Sequence, residues 1–95
     1  MIKINLSNPV IDLDGKAVEE LTLGKLLGNQ LAGSNKGEAL KYYDWAVALY
    51  KGLEITTDKT DAKKIKEFVE TTETLTNLVK AQIITILDSS IAADA

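Results

Sequence analysis

The sequence predicts a mainly α-helical small domain of four helices with an N-terminal β-hairpin, and a more evenly mixed α+β domain is the alternative. In the first twenty residues, apolar and polar residues alternate as they do in half-buried strands. From residue 22 onward, apolar residues recur every three or four positions, the period of an amphipathic helix. A chain of 95 residues has material for one core only. We therefore predict a single domain, 1–95, with a hairpin flap at 1–20, a helical core at 22–88 and a frayed tail at 89–95.

The N-terminal flap is predicted from its alternation and its turn residues. Its first strand places apolar residues at every second position: Ile2, Ile4 and Leu6. Residues 7–9 (Ser-Asn-Pro) form a turn, and Asp14-Gly15 is a strong tight-turn signal that folds residues 16–19 back on residues 10–13. The result is a hairpin or a three-stranded flap. Either is too small to be stable alone, so it must pack on the helices.

The first predicted helix covers residues 23–32, with Thr22 as its N-cap and Gly33 as its end. Gly24 and Gly28 lie four residues apart within it. Each glycine weakens a helix by about 1 kcal/mol relative to alanine. We expect such a pair where another backbone crosses the helix closely.

The second predicted helix, residues 38–51, is ended by Gly52 and contains four of the five aromatic residues of the chain. Its main apolar stripe is Ala39, Leu40, Tyr43, Ala46, Val47 and Tyr50. A flank beside that stripe is Tyr42, Trp45 and Leu49, bordered by Lys41 and Glu38. Together they span roughly 220°, more than one stripe. We expect Tyr43 and Tyr50 in the core, whereas the flank is core, a self-association interface, or a platform for a ligand or foreign partner.

The second half of the chain is predicted to hold two more helices. Residues 53–57 are interpreted as an extended linker in preference to an edge strand. A helix at 61–70 follows, capped by Asp58 or Thr60, and residues 71–74 break it. Thr72 or Thr74 then caps a last helix to residue 88, which carries a second apolar strip. That strip is Ile84, Leu87 and Ile91.

Three absent residue types limit the chemistry, since the chain has no Cys, no His and no Arg. Disulfides, common zinc sites and Ser-His-Asp or Cys-His catalytic arrangements are therefore excluded. We expect a protein that is not an enzyme and uses no cofactor or metal. The net charge of −3 argues against nucleic acid and anionic membranes as partners. Without an apolar run of membrane-spanning length or signal-peptide features, we expect a cytoplasmic location.

Two clusters of charged residues have simpler interpretations than ligand sites. Asp12, Asp14, Glu19 and Glu20 lack the spacing of an EF-hand calcium loop, and the hairpin turn explains them. The basic cluster at residues 63–66 lies on a helix that also carries acidic residues. Mutual screening is favoured there over an anion site.

Several segments together resemble small acidic proteins of tailed bacteriophages. They are the extended N-terminus, Asp-Leu-Asp-Gly-Lys at 12–16, Leu-Thr-Leu-Gly-Lys-Leu-Leu at 21–27, the aromatic helix and the final Leu/Ile helix. The resemblance implies a host cytoplasm and stoichiometric binding, either of a host factor or of a structural protein during assembly. A nucleotide-binding sponge with pockets at subunit junctions is a further alternative. We expect the protein to self-associate through the flanks of its second and fourth helices. The residues of this expected interface are Lys41, Tyr42, Trp45, Leu49, Ile84, Leu87 and Ile91.

Overall fold

The computed structural model describes residues 1–35 and 37–94, and within them the predicted mainly α domain with an N-terminal hairpin is confirmed. Four helices and two small antiparallel sheets make up this part of the chain. The elements in order are β1 (Ile2–Ile4), β2 (Pro9–Ile11), β3 (Ala17–Thr22), α1 (Leu23–Gly33), α2 (Ala39–Tyr50), β4 (Ile55–Thr57), α3 (Lys59–Thr71) and α4 (Asn77–Ala93).

One hydrophobic core is shared by these helices and strands. Its fully buried large side chains come from β1, the β1–β2 connection and all four helices: Ile2, Ile4, Leu6, Leu23, Leu27, Leu49, Ile65, Val69, Ile83 and Leu87. The prediction that the flap packs on the helices is confirmed by this arrangement.

The first sheet pairs β1 with β4, so the preference for a linker at 53–57 was wrong and the strand alternative is correct. The register sets Ile4 opposite Ile55 and Ile2 opposite Thr57, and all four are buried on one side. β1 also lies against α4, while β4 contacts α2 and α3. Because β1 pairs with β4 and not with the β2–β3 hairpin, the three-stranded flap does not form.

The second sheet is the predicted hairpin of β2 and β3. The Asp12 carboxylate accepts hydrogen bonds from the backbone N–H groups of Asp14 (2.9 Å) and Lys16 (3.0 Å), and Gly15 takes a φ of +84°. A bulge in β3 includes Glu20, whose φ is +60°. Asp12 thus serves the turn. Nowhere in the described residues do three acidic side chains gather as a metal site would require.

A side-chain amide on α4 holds the hairpin in place. Gln82 Oε1 accepts the Ile11 N–H at 2.9 Å, and Gln82 Nε2 donates to the Ile11 carbonyl at 2.7 Å. We predict that Gln82→Ala lowers the free energy of unfolding by about 1 kcal/mol. Hydrogen exchange at the Ile11 amide should accelerate, because Gln82 is the acceptor for that N–H group.

The matched control is Thr85→Ala, on the same helix, whose hydroxyl donates to the carbonyl of Ala81. It should leave exchange at Ile11 unchanged. Equal acceleration in both variants would contradict the proposed role of Gln82.

The predicted cap and glycine pair of α1 are confirmed. Thr22 Oγ1 accepts the Lys25 N–H at 3.1 Å. Two other N–H groups in the first turn of the helix donate to carbonyls of residues 6–8, that of Leu23 to Asn8 and that of Gly24 to Leu6. Both Gly24 and Gly28 face the backbone of α2, which is the close crossing that the pair indicated.

The N-cap of α3 is Asp58, one of its two predicted caps, whose carboxylate accepts the Asp61 N–H at 2.7 Å, and the helix begins at Lys59, two residues before the predicted start. The N-cap of α4 is Thr76, so the expected caps Thr72 and Thr74 were wrong. The hydroxyls of those two threonines hydrogen-bond to each other, and Thr74 also contacts Gln30 on α1. They tie the α3–α4 connection to α1 and leave the capping to Thr76.

The end of α4 also departs from the prediction of a frayed tail after residue 88. The helix continues to Ala93, and the amino group of Met1 pairs with Asp94 at 3.2 Å. Residue 95, the last of the predicted tail, lies outside the described residues.

An ion pair joins α3 to α4, because Lys66 lies 2.7 Å from Asp88. The hydrogen bond that the Lys66 ammonium group donates to Asp88 raises the pKa of Lys66.

Candidate functional site

On α2 the two tyrosines that were expected in the core are exposed, and the flank beside the main stripe is buried. Trp45 is 7% exposed and Leu49 is fully buried, whereas Tyr43 and Tyr50 are 60% and 48% exposed. The prediction that these two tyrosines lie in the core was therefore wrong. The physical reason is the approach of α1, whose glycines meet α2 at Ala46 and Leu49.

Trp45 is buried and Tyr42 is partly buried in an aromatic cluster, so the core alternative for the flank is the correct one. The Tyr42 ring lies 5.2 Å from the Trp45 ring and 6.2 Å, edge on, from the ring of Phe68 on α3. Gly37, with a φ of +83°, leaves room for the Tyr42 ring, which a Cβ at that position would overlap. These contacts join α2 to α3. Trp45 is thereby largely removed from the surface, and Leu49 is fully buried where Gly24 of α1 meets it.

Lys41 is also committed to the α2–α3 contact. Its ammonium group lies 3.2 Å from Asp61 and 3.3 Å from Glu38. The hydrogen bond to Asp61, followed by the one to Glu38, raises the pKa of Lys41. The ammonium group also lies 6.0 Å from the centre of the Trp45 ring, within the range of a cation–π contact. Lys41 therefore links α2 to α3 through this ion pair, and we remove it from the expected interface.

The basic cluster on α3 has acidic neighbours. Lys64 lies 4.0 Å from Asp61, and Lys66 pairs with Asp88 on α4 and not with Glu70. Exposed pairs of this kind contribute little to stability. They reduce the local positive charge, in keeping with the screening interpretation.

The second strip of α4 is used inside the chain. Leu87 is fully buried, and Ile84 and Ile91 are partly buried against the core. Leu87 is therefore out of reach of a partner, and contacts within the chain take up part of the strip, because α4 packs against more than the other helices. β1 lies against it and the hairpin is attached through Gln82.

What remains exposed is one face of α2, here called the outer α2 face and defined as Leu40, Tyr43, Val47 and Tyr50. Leu40 is 83% exposed, and Val47 is partly buried beside the two tyrosines. The four residues are spaced 3-4-3 along the helix. This spacing puts them in one line on the helix surface.

A groove of about 280 Å³ runs between the outer α2 face and α1. Small side chains of α1 form its other wall, among them Gly28, Asn29 and Ala32. The groove is shallow because Gly28 lets the two helix backbones approach closely. At one end, Lys25 Nζ lies 6.0 Å from the centre of the Tyr50 ring.

The tyrosines of this face were expected in the core, yet one feature of the sequence indicates that the face is exposed. Tyrosine carries a hydroxyl that needs water or another partner, and two tyrosines on one stripe favour its exposure over that of the Trp45 and Leu49 stripe. The other strongly exposed large apolar side chains of the described residues are Met1, Leu13 and Leu53, and none belongs to a comparable line.

Comparisons with protein-family models, with curated proteins and with solved structures found no match to this chain. In the described ranges, every helix is too short or too polar to cross a bilayer.

Proposed function

We propose that this chain is a non-enzymatic, homo-oligomeric binding protein whose contact surface is the outer α2 face. The observation that carries the proposal is the line of exposed apolar side chains on a single helix. Leu40, Tyr43 and Tyr50 are 83%, 60% and 48% exposed. They present roughly 400 Å² of mostly apolar surface, as large as the functional patches of small monomers.

The composition of the face supports protein contact over small-molecule binding. Tyrosine is enriched among the residues that dominate protein interfaces, since it combines large contact area with few rotatable bonds. Small-molecule sites are concave and bury most of their ligand. The groove beside this face is open to solvent, and its α1 wall consists only of Gly28, Asn29 and Ala32.

The absence of His, Cys and Arg leaves stoichiometric binding as the simplest mode of action. The resemblance to small acidic phage proteins supports the same class. We propose that the assembled protein acts as a phage accessory protein that sequesters a host factor.

The test is the association state of the purified chain, measured by sedimentation velocity and native mass spectrometry over about two decades of concentration. We predict an oligomer for the wild type. Tyr43→Ser should weaken association at least about tenfold, because a central interface tyrosine is removed, and should leave the circular dichroism spectrum unchanged.

Leu13→Ser is the matched control, because Leu13 is 93% exposed at the hairpin turn, away from α2. It should associate as the wild type does. A wild type that stays monomeric throughout, or equal weakening by both substitutions, would overturn the proposal.

A further inference from the structure

We propose that a pocket between the C-terminal ends of α1 and α3 binds a primary alkylammonium ion. Its volume is about 470 Å³, within the range of small-molecule sites. Its wall includes Gln30 and Gly33 of α1, Thr71 at the end of α3, and Thr72, Glu73 and Thr74 of the connection that follows. The pocket shares no described residue with the outer α2 face, so the inference is independent of the proposed protein contact.

The threonine hydroxyls of this pocket donate their protons within the protein. Thr71 Oγ1 donates to the carbonyl oxygen of Glu67 at 2.8 Å. Thr74 Oγ1 donates to Gln30 Oε1 and lies 2.8 Å from Thr72 Oγ1. A hydroxyl has one proton only, and that of Thr74 is already used, so Thr72 is the donor to Thr74. All three hydroxyls therefore offer a ligand only the lone pairs of their oxygens.

Two helix ends add further acceptors and negative charge. Gly33 is the last residue of α1, Thr71 is the last residue of α3, and both line the pocket. The last carbonyl groups of a helix have no partner within it and together carry roughly half a negative charge. The last turns, residues 30–33 and 68–71, contain no basic side chain to neutralise that charge. Lys80 Nζ lies 3.5 Å from the carbonyl oxygen of Glu70, but Lys80 is outside the described pocket wall.

These features together favour a cation that donates hydrogen bonds. The exposed Glu73 carboxylate adds a full negative charge, and no described residue of the wall is basic. Gln30 Nε2 is a donor, yet most of the polar atoms named above are acceptors. An ammonium group has three N–H donors and no acceptor, so it complements such a wall.

The size of the pocket favours an organic cation over a metal ion. A calcium ion needs six to eight oxygen ligands at about 2.4 Å, several of them carboxylate oxygens. The described wall supplies a single carboxylate, and the volume is far larger than such a coordination shell. The Phe68 side chain also lines the pocket and gives the carbon chain of an alkylammonium ion an apolar contact.

Binding is tested by NMR titration of the full chain at low ionic strength, where charge screening is weak. We expect n-butylammonium to shift the amide resonances of Gly33, Thr72 and Thr74 saturably. 1-Butanol has the same chain without the charge, tetramethylammonium has the charge without N–H donors, and potassium is a metal ion. The Kd of n-butylammonium should be at least about tenfold lower than that of each of these three probes.

Two pairs of variants test the assigned groups. Glu73→Gln should raise the Kd of n-butylammonium about fivefold, because it removes the carboxylate and keeps its size. Glu54→Gln removes the same charge from an exposed residue outside the pocket and should leave the Kd unchanged. Thr72→Val removes the acceptor oxygen and should raise the Kd about threefold, whereas Thr72→Ser keeps that oxygen and should not.

Saturable binding that follows this order of probes and variants supports the ammonium site. Equally tight binding of 1-butanol would indicate an apolar cavity, and equally tight binding of potassium would indicate a metal site, so either result overturns the proposal. Equal weakening by Glu73→Gln and Glu54→Gln, or the absence of shifts around the pocket, overturns it as well. None of these results depends on the association state, which tests the proposed function separately.

Discussion

Replacing Gly24 with alanine is expected to lower the free energy of unfolding by about 3 kcal/mol, although alanine is the better helix former. The added Cβ would overlap the carbonyl oxygen of Leu49 and lie 3.0 Å from the carbonyl oxygen of Leu6. Both atoms belong to backbone, so neither can rotate away. The gain in helix propensity, about 1 kcal/mol, is smaller than the cost of separating α1 from α2.

Gly28 should behave in the same way, since its Cβ would lie 2.8 Å from the carbonyl oxygen of Ala46. Gly33, the last residue of α1, is the control because no atom lies within 4 Å of the corresponding Cβ. Gly33→Ala should be neutral or stabilising by up to about 1 kcal/mol. Urea denaturation of the three variants measures the difference. Stabilisation by all three would show that the helices can separate without cost.

Trp45→Ala is expected to cost about 3–5 kcal/mol, a large part of the stability of a domain of this size. Trp45 is 7% exposed and lies 5.2 Å, ring to ring, from Tyr42, so its removal leaves a cavity between α2 and α3. Tyr43→Ala, two residues away, removes a ring that is 60% exposed and should change stability by less than about 0.5 kcal/mol.

The comparison should be made at low protein concentration, where association adds nothing to the apparent stability. Thermal unfolding followed by circular dichroism is sufficient. If Tyr43→Ala cost as much as Trp45→Ala under these conditions, the assignment of the two α2 stripes to core and surface would be incorrect.

Features that depend on neighbouring residues were predictable from the sequence. Thr22 and Asp58 were identified as caps because a cap bonds to an N–H group only three residues further along the chain. The hairpin turn at Asp14-Gly15 is equally local. The cap of α4 was assigned wrongly among three nearby threonines: the hydroxyls of Thr72 and Thr74 bond to each other, Thr74 also bonds to Gln30 on α1, and Thr76 is the cap.

Features that depend on distant partners were not predictable. Residues 55–57 form a strand through their pairing with β1. The glycine pair of α1 indicated a close crossing, yet nothing local shows that the crossing helix is α2 or that Ala46 and Leu49 are its contact points. That contact decides which stripe of α2 is buried. The exposed apolar surface of α2 was therefore expected on the wrong face of that helix.

The pairing of β1 with β4 has a consequence for the order in which the protein can fold. Its partners are separated by more than fifty residues, from Ile2 to Thr57. During synthesis the ribosome releases β1 first, but the hairpin, α1 and α2 must all emerge before β4 can pair with it. The tightly packed α1–α2 pair can form earlier from local contacts. Until β4 arrives, Ile2 and Ile4 have no strand partner, and the growing chain carries an open apolar edge.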